Sequence, residues 1–208
     1  LEERAAEFWD TVRGETQRGH RYNTGRVTGR DGYEEGFRLY RLVRELKPRV
    51  AVETGVCNGV STAFLLLALE RNGGGELHSI DLPEVAGEAY EAGTFWDGKG
   101  GAVIPPGREP GWMVPRDLRA RWNLVLGRSQ DELPPLLERF GPIDFFMHDS
   151  EHSYECMSFE FATAWEALRD GGALVADDVT VNAAWDEFTR SVGRDPQPLG
   201  PKLALIVK

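Results

Sequence analysis

Apolar residues recur along the chain with two different periods, which predicts helices alternating with strands. Over residues 32–46 they lie three or four positions apart, the spacing of one helical face, with Asp31 and Glu34 as a capping box and Pro48 as the stop. Short apolar runs predict strands at residues 50–54, 76–80, 122–126, 143–147, 173–176 and 203–207. Further helices are predicted at residues 61–70, 131–140, 154–168 and 183–191, the third ended by Gly171 and Gly172. This alternation is typical of an α/β fold with a doubly wound, mostly parallel sheet and helices on both faces.

Two segments fall outside this rhythm. Residues 1–30 are polar and rich in arginine, and we interpret them as an N-terminal extension to a single domain over residues 31–208. Residues 82–115 contain many glycines and prolines together with Trp96 and Trp112. A loop of this length is usually functional or disordered, and its aromatic residues favour a lid or wall over a pocket.

The amino-acid composition and charge disfavour several classes of function. The formal net charge of −10 disfavours non-specific binding to nucleic acid or to anionic membranes. No apolar run approaches the roughly 20 residues that span a bilayer, and no secretory signal opens the chain. The two cysteines, Cys57 and Cys156, are expected to be small buried residues in a reducing, cytoplasmic environment. We therefore expect a small-molecule partner, and the sequence leaves open a homo-oligomer.

The segment from Val52 to Thr62 predicts a strand, a glycine-containing turn and the start of a helix. Such a turn brings backbone N–H groups and a helix N-terminus close to a ligand, and Gly55 and Gly59 allow close approach. The dinucleotide fingerprint fails, because its second and third glycines would be Cys57 and Val60. The pattern favours a nucleoside ligand other than NAD, with an ordinary tight turn as the alternative.

Acidic residues follow four predicted strands: Glu53, Asp81, Asp149, and the pair Asp177–Asp178. Ligands of such sheets bind at the carboxyl ends of the strands. Asp81, 26 positions after Gly55, is suited to accept hydrogen bonds from both hydroxyls of a ribose.

Asp149, Asp177 and Asp178 supply three carboxylates, which suit Mg²⁺, Mn²⁺ or Ca²⁺. The alternative is that Asp149 and Asp177 cap the helices that follow them. His152 could act as a general base beside the metal or make a structural hydrogen bond, whereas His148 is expected to point away.

These residues together resemble the class I S-adenosylmethionine-dependent methyltransferases, in particular the metal-dependent O-methyltransferases of sugars and other small molecules. Glu53-x-Gly55-x-x-x-Gly59-x-Ser61 resembles the first motif of that family, and Ile80-Asp81 resembles its ribose-binding acid. Further similarity lies in Gly127-Arg128-Ser129, in Asp149-x-x-His152-Ser153-Tyr154, and in Gly171-Gly172 with Asp177-Asp178.

The resemblance implies a Rossmann-like sheet of about seven strands with a reversed last hairpin. It implies methyl transfer from S-adenosylmethionine to a hydroxyl oxygen, with a divalent cation on Asp149, Asp177 and Asp178 and with His152 as general base. The cofactor-binding residues it implies are Glu53, Gly55, Asn58, Gly59, Ser61, Asp81, Gly127, Ser129 and Asp149.

The chain departs from the family pattern at two places. Residues 197–200 are a poor candidate for a hairpin strand, so one strand is expected to be very short. Asp178 stands where the catechol-type enzymes usually have asparagine. A methyltransferase without metal, with His152 alone as base, and a non-catalytic nucleoside-binding module remain alternatives.

Overall fold

Helices and strands alternate through residues 30–83, 104 and 107–208, the part of the chain that the computed structural model describes. The helices are α1 (Arg30–Leu46), α2 (Val60–Asn72), α3 (Ser129–Phe140), α4 (Tyr154–Ala167) and α5 (Ala184–Ser191). The strands are β1 (Val50–Thr54), β2 (Glu76–Asp81), β3 (Trp122–Leu126), β4 (Ile143–His148), β5 (Leu168–Ala176), β6 (Gln197–Pro198) and β7 (Ala204–Val207). A 3-10 helix, Arg116–Arg121, leads into β3.

The strands form one seven-stranded sheet in the order β3-β2-β1-β4-β5-β7-β6. The first five strands are parallel, and β7 runs antiparallel to both β5 and β6. The chain reverses its direction across the sheet between β1 and β4, so the switch point at which such sheets bind ligands lies at the carboxyl ends of these two strands. The predicted fold class, including the reversed last hairpin, is confirmed.

The core lies on both faces of the sheet because successive residues of the central strands point to opposite sides. Ala51 and Phe145 pack with α1 and α2 on one face. Val52 and Phe146 pack with α3, α4 and α5 on the other. All four side chains are fully buried, and their strands are therefore held from both sides.

Two predicted boundaries are wrong. Gly171 and Gly172 do not end α4, because β5 already begins at Leu168. The N–H of Gly171 donates to the carbonyl of Lys208 (3.1 Å), and the N–H of Lys208 donates to the carbonyl of Gly172 (3.0 Å), so the glycines belong to the sheet. Asp31 lies within α1, which begins at Arg30, and is therefore not its N-cap.

The last hairpin contains the very short strand that the sequence predicts. Strand β6 has only two residues, and Pro198 is one of them. Proline has no N–H to donate to a neighbouring strand, and the sheet edge is the position that tolerates it.

Some predictions concern residues outside the described ranges. The N-terminal extension lies outside the described residues except for Arg30, as do Trp96 and most of the predicted lid. Within the described ranges no helix is both long and apolar enough to cross a membrane.

Candidate functional site at the carboxyl edge of the sheet

The turn after β1 brings the loops of the two central strands into contact. Gly55 has φ +85°, and a Cβ there would lie 2.0 Å from the carbonyl oxygen of Asp149. The N–H of Asp149 in turn donates to the carbonyl of Thr54 (2.8 Å). Glycine at 55 is therefore required by the close passage of the Asp149 loop, a cause different from the ligand approach that the sequence suggests.

The described end of the predicted lid rests on the same turn. The N–H of Gly111 donates to the carbonyl of Cys57 (2.8 Å), and the indole N–H of Trp112 donates to Oδ1 of Asn58 (2.7 Å). A Cβ at Gly59, where φ is +90°, would lie 2.7 Å from the Cα of Gly111. The turn is thus covered on one side by folded chain, and Asn58 is held by it.

Glu53 is fully buried beneath the turn. Its carboxylate accepts hydrogen bonds from the hydroxyls of Ser61 (2.7 Å), Thr62 (2.8 Å) and Ser79 (2.9 Å). These bonds tie the end of β1 to the first turn of α2 and to β2, so Glu53 and Ser61 fix the shape of the turn.

Asp81 is the acid with an incomplete set of partners. It is 7% exposed at the end of β2. Its Oδ1 accepts the N–H groups of Val56 (2.8 Å) and Cys57 (3.3 Å), whereas its Oδ2 is buried and has no hydrogen-bond partner among the described residues. Burial raises the pKa of this carboxyl, against the opposing effect of the two N–H donors. An external donor would supply the missing hydrogen bond.

Gly127 and Ser129 follow β3, the strand that pairs with β2 in the sheet. The N–H of Gly127 donates to the carbonyl of Asp81 (3.0 Å), which places the end of β3 beside that acid. Ser129 begins α3, is buried, and its hydroxyl lies 3.6 Å from the thiol of Cys156.

Asp149, His152 and Asp177 converge at the ends of β4 and β5. Each offers one ligand atom, and these atoms lie within 4.8 Å of one another. Nε2 of His152 is 3.9 Å from Oδ1 of Asp149, and the two side chains are 15% and 22% exposed. The N–H of Asp177 donates to the carbonyl of His148 (2.9 Å), so strand ends hold both acids in place.

The alternative that Asp149 and Asp177 cap helices is wrong. Helix α4 is capped by Ser153, whose hydroxyl accepts the N–H of Cys156 (3.2 Å). At the start of α5, Oδ1 of Asn182 accepts the N–H of Ala184 (2.8 Å). Other residues thus fill the capping positions.

Asp178 is not one of the three residues of this cluster. Its backbone has φ +49°, and its carboxylate lies 2.7 Å from Nζ of Lys202. The hydrogen bond and charge of Asp178 raise the pKa of Lys202. The predicted third metal ligand is therefore paired with a lysine in this structure, and His152 stands third in the cluster.

Two residues beside the cluster carry no pattern in the sequence that marks them as part of the site. Glu160, fully buried on α4, accepts hydrogen bonds from Thr54 (2.5 Å) and Ser150 (2.6 Å) and lies 2.6 Å from Nδ1 of His148. Burial raises the pKa of Glu160, but the charge and hydrogen bond of His148 outweigh burial and the net shift is downward. His148 is thus buried against Glu160, and its ring packs edge-to-face on that of His152, with ring centroids 5.2 Å apart.

Asn182 is the second. Its amide donates to the carbonyl of His152 (3.1 Å) while its Oδ1 caps α5, so one side chain joins the two loops that carry the cluster. A lone asparagine in a loop carries no sequence signal for this role.

The two cysteines differ. Cys156 is buried, as predicted, and burial beside Glu160 raises the pKa of its thiol to about 12. Such a thiol is not nucleophilic at neutral pH. Cys57 is only half-buried, with φ +52°, because it forms part of the turn; the prediction that it is buried is wrong.

The sequence that forms this site matches a known protein family. Residues 52–179 match a family model described as a methyltransferase domain. The chain belongs to this methyltransferase family. The match runs from β1 to the residue after Asp178, so it contains the glycine turn and all the acids discussed above, and the resemblance to class I methyltransferases is confirmed.

Solved structures of several methyltransferases share the fold of this chain. The O-methyltransferase NovP is 17% identical with a TM-score of 0.60, over 84% of this chain and 79% of that one. An O-methyltransferase from Bacillus cereus in complex with SAH (S-adenosylhomocysteine) is 16% identical with a TM-score of 0.57, over 99% and 91%. TomG from Streptomyces achromogenes, an O-methyltransferase involved in tomaymycin synthesis and solved with SAM (S-adenosylmethionine), is 17% identical with a TM-score of 0.55, over 86% and 81%. No curated protein matches the sequence.

Proposed function

We propose that this methyltransferase moves the methyl group of S-adenosylmethionine to a hydroxyl oxygen of a sugar or another small metabolite, assisted by a divalent cation. One observation carries the proposal. Beside the switch point of the sheet, the buried Asp81 at the end of β2 has one oxygen without a donor among the described residues, and Asp149, His152 and Asp177 converge at the ends of β4 and β5. A buried carboxylate oxygen that needs a donor suits a ribose hydroxyl. Converging carboxylates suit a divalent cation.

The cofactor part rests on Asp81. Its buried Oδ2 would accept hydrogen bonds from the ribose hydroxyls, and the chemistry of the site fits a nucleoside. The other proposed cofactor residues surround this acid or hold the turn beside it: Glu53, Gly55, Asn58, Gly59, Ser61, Gly127, Ser129 and Asp149. Two of the structures that share the fold, from Bacillus cereus and Streptomyces achromogenes, contain SAH and SAM, respectively.

The metal part rests on the donor set. The carboxylates of Asp149 and Asp177 converge beside His152, with one ligand atom of each residue within 4.8 Å of the others, and carboxylates fit a hard cation such as Mg²⁺, Mn²⁺ or Ca²⁺. Asp149 and Asp177 would hold the ion, and Asp178, which is paired with Lys202 in this structure, would become the third carboxylate when an ion is bound. A bound divalent ion would stabilise the negative charge that develops on the acceptor oxygen.

We assign His152 the removal of the acceptor's proton. Its ring lies at the cluster, where Nε2 is buried 3.9 Å from Oδ1 of Asp149, and its side chain is 15% exposed. The loop on either side is fixed, by Ser150 bound to Glu160 and by Asn182 bound to the carbonyl of His152. A base held in this way contributes about 10²–10⁴-fold to the rate.

The test is methyl transfer from SAM with a ¹³C-labelled methyl group to a panel of sugars and small hydroxyl compounds, read by NMR. We expect an O-methyl signal that EDTA removes and Mg²⁺ or Mn²⁺ restores. His152→Gln should lower the rate by at least about a hundredfold. The control is His78→Gln, since His78 lies within β2, packs against Phe140 and is not part of the cluster. An N-methyl or C-methyl product would contradict the proposal, and full activity in EDTA would favour the metal-independent enzyme.

A further inference from the structure

Lys202 places a positive charge beside the acidic cluster. Its Nζ lies 2.7 Å from Oδ1 of Asp178. Its backbone is fixed at the same place, since its carbonyl accepts the N–H of Val179 (3.0 Å). The lysine is thus a cation tethered next to the carboxylates that we assign to a divalent ion.

The two consecutive acids after β5 have different partners because the backbone turns between them. Asp178 has φ +49°, in the left-handed region, whereas Asp177 belongs to the cluster with Asp149 and His152. Aspartate and asparagine enter this region more easily than most residues. The turn lets Asp178 reach Lys202 while remaining the immediate neighbour of a cluster residue.

The pair is exposed enough to open. The side chain of Lys202 is 64% exposed and that of Asp178 is 30% exposed. Exposed ion pairs of this kind are weak. A divalent ion that coordinates a carboxylate directly is the largest local charge in a site and attracts it more strongly.

We propose that Lys202 is a tethered competitor of the divalent cation, which holds Asp178 out of the metal site until a bound ion displaces it. The inference rests on the metal part of the proposed function. It gives Lys202 a role in setting the affinity for the ion, so that metal binding includes the cost of opening the Lys202–Asp178 pair. Lys202 would also keep one of the crowded acids neutralised when no ion is bound.

The test is a calorimetric titration of Mn²⁺ alone, without SAM, into variants at both positions. Lys202→Met should tighten Mn²⁺ binding by about two- to fivefold, the range expected for an exposed ion pair. In the Asp178→Asn background the same substitution should tighten binding less, because only the charge of Lys202 acting on Asp177 remains and there is no pair left to open. Asparagine tolerates a positive φ, so Asp178→Asn should keep the fold.

Two control variants separate competition from a general effect of charge. Lys202→Arg keeps the pair and should bind Mn²⁺ no more tightly than wild type. Lys47→Met removes an exposed positive charge at the opposite edge of the sheet, just before β1, and should leave the affinity unchanged. Equal tightening by Lys202→Met with and without Asp178 would overturn the proposal.

The outcomes also separate this inference from the proposed function. Mn²⁺ binding by wild type that Lys202→Met does not tighten would overturn the competition and leave the metal site standing. No binding by any variant would overturn both.

Discussion

The two edges of the sheet differ in the hydrogen-bond partners that they provide for a buried carboxylate. At the amino edge, Oδ2 of Asp144 accepts the N–H groups of Arg49 (2.8 Å) and Val50 (2.9 Å), and its Oδ1 accepts Nε of Arg169. At the carboxyl edge, Asp81 uses one oxygen and leaves the other buried without a partner among the described residues.

The pKa values follow this difference. Burial raises the pKa of Asp144, but Arg169 and the two N–H donors outweigh it and the net shift is downward. Burial dominates at Asp81, and its pKa is raised. A satisfied buried acid stabilises the fold, whereas an unsatisfied one reserves an acceptor for a ligand at a cost in stability. The amino edge therefore serves structure, whereas we propose that the carboxyl edge serves binding.

The largest effects should come from a pair of glycines in nearly identical environments at the two edges. Gly55 has φ +85° and a Cβ site 2.0 Å from the carbonyl oxygen of Asp149; Gly75 has φ +90° and a Cβ site 2.2 Å from the carbonyl oxygen of Pro48. Gly55→Ala and Gly75→Ala should each cost about 2–4 kcal/mol in denaturant unfolding, through strain and backbone clash. Only Gly55→Ala should also weaken SAH and Mn²⁺ binding at low temperature, where both variants are folded. Equal binding by the two variants would contradict the division between the edges.

Replacing Asp144 and Asp81 should change the free energy of unfolding in different ways. Asp144→Asn should lower the free energy of unfolding at pH 7 by about 1–3 kcal/mol, because it weakens charge-assisted hydrogen bonds. Asp81→Asn should leave the free energy of unfolding unchanged or raise it, since it removes a buried charge and keeps an acceptor for Val56. Urea unfolding of both variants measures this. Stronger destabilisation by Asp81→Asn than by Asp144→Asn would break the comparison.

The pH dependence of the same two variants should run in opposite directions. Asp144 has a lowered folded pKa, so its stabilisation is present above the ordinary value of about 3.9 and is lost as the pH falls through the folded pKa. Asp81 has a raised folded pKa, so its unfavourable contribution is absent at low pH and grows as the pH rises above the ordinary value. Wild type minus Asp144→Asn stability should therefore increase from pH 3 to pH 7, and wild type minus Asp81→Asn should decrease.

The smallest effect concerns two asparagines that each donate to a backbone carbonyl. Asn182 donates to His152 (3.1 Å) and Asn72 donates to Val43 (3.0 Å). Asn182→Ala should weaken Mn²⁺ binding by about tenfold, as expected when the support of a ligand-bearing loop is removed. Asn72→Ala, far from the cluster, should leave Mn²⁺ affinity unchanged. Equal affinities in calorimetry would show that Asn182 only caps α5.

Local patterns were sufficient to predict the fold and most of the acids at the carboxyl edge. The glycine turn, Asp81 and the Asp177–Asp178 pair stand next to short apolar strands, and in a parallel sheet all such positions reach one edge. The family match bears out the methyltransferase that these motifs suggested. The spacing of residues carries this information because each motif lies within a single strand–loop–helix unit.

The remaining features depend on partners far apart in the sequence. Glu160 accepts a hydrogen bond from Thr54, which is 106 positions away in the sequence. Asn182 donates to the carbonyl of His152, which is 30 positions away. The pairing of Asp178 with Lys202 depends on how the last hairpin adds to β5. Glycine often follows the end of a helix, so the sequence predicts a helix end at Gly171 and Gly172, whereas pairing with the antiparallel strand β7 makes them part of the sheet.

The most direct test of the account is the affinity for S-adenosylhomocysteine, measured by calorimetry, of wild type, Asp81→Asn and Asp144→Asn. Because hydrogen bonds to a charged group contribute about 1.5–3 kcal/mol, Asp81→Asn should bind at least about tenfold more weakly. Asp144→Asn, although less stable, should bind like wild type. Wild-type affinity in Asp81→Asn would contradict the claim that this unsatisfied acid at the carboxyl edge holds the cofactor.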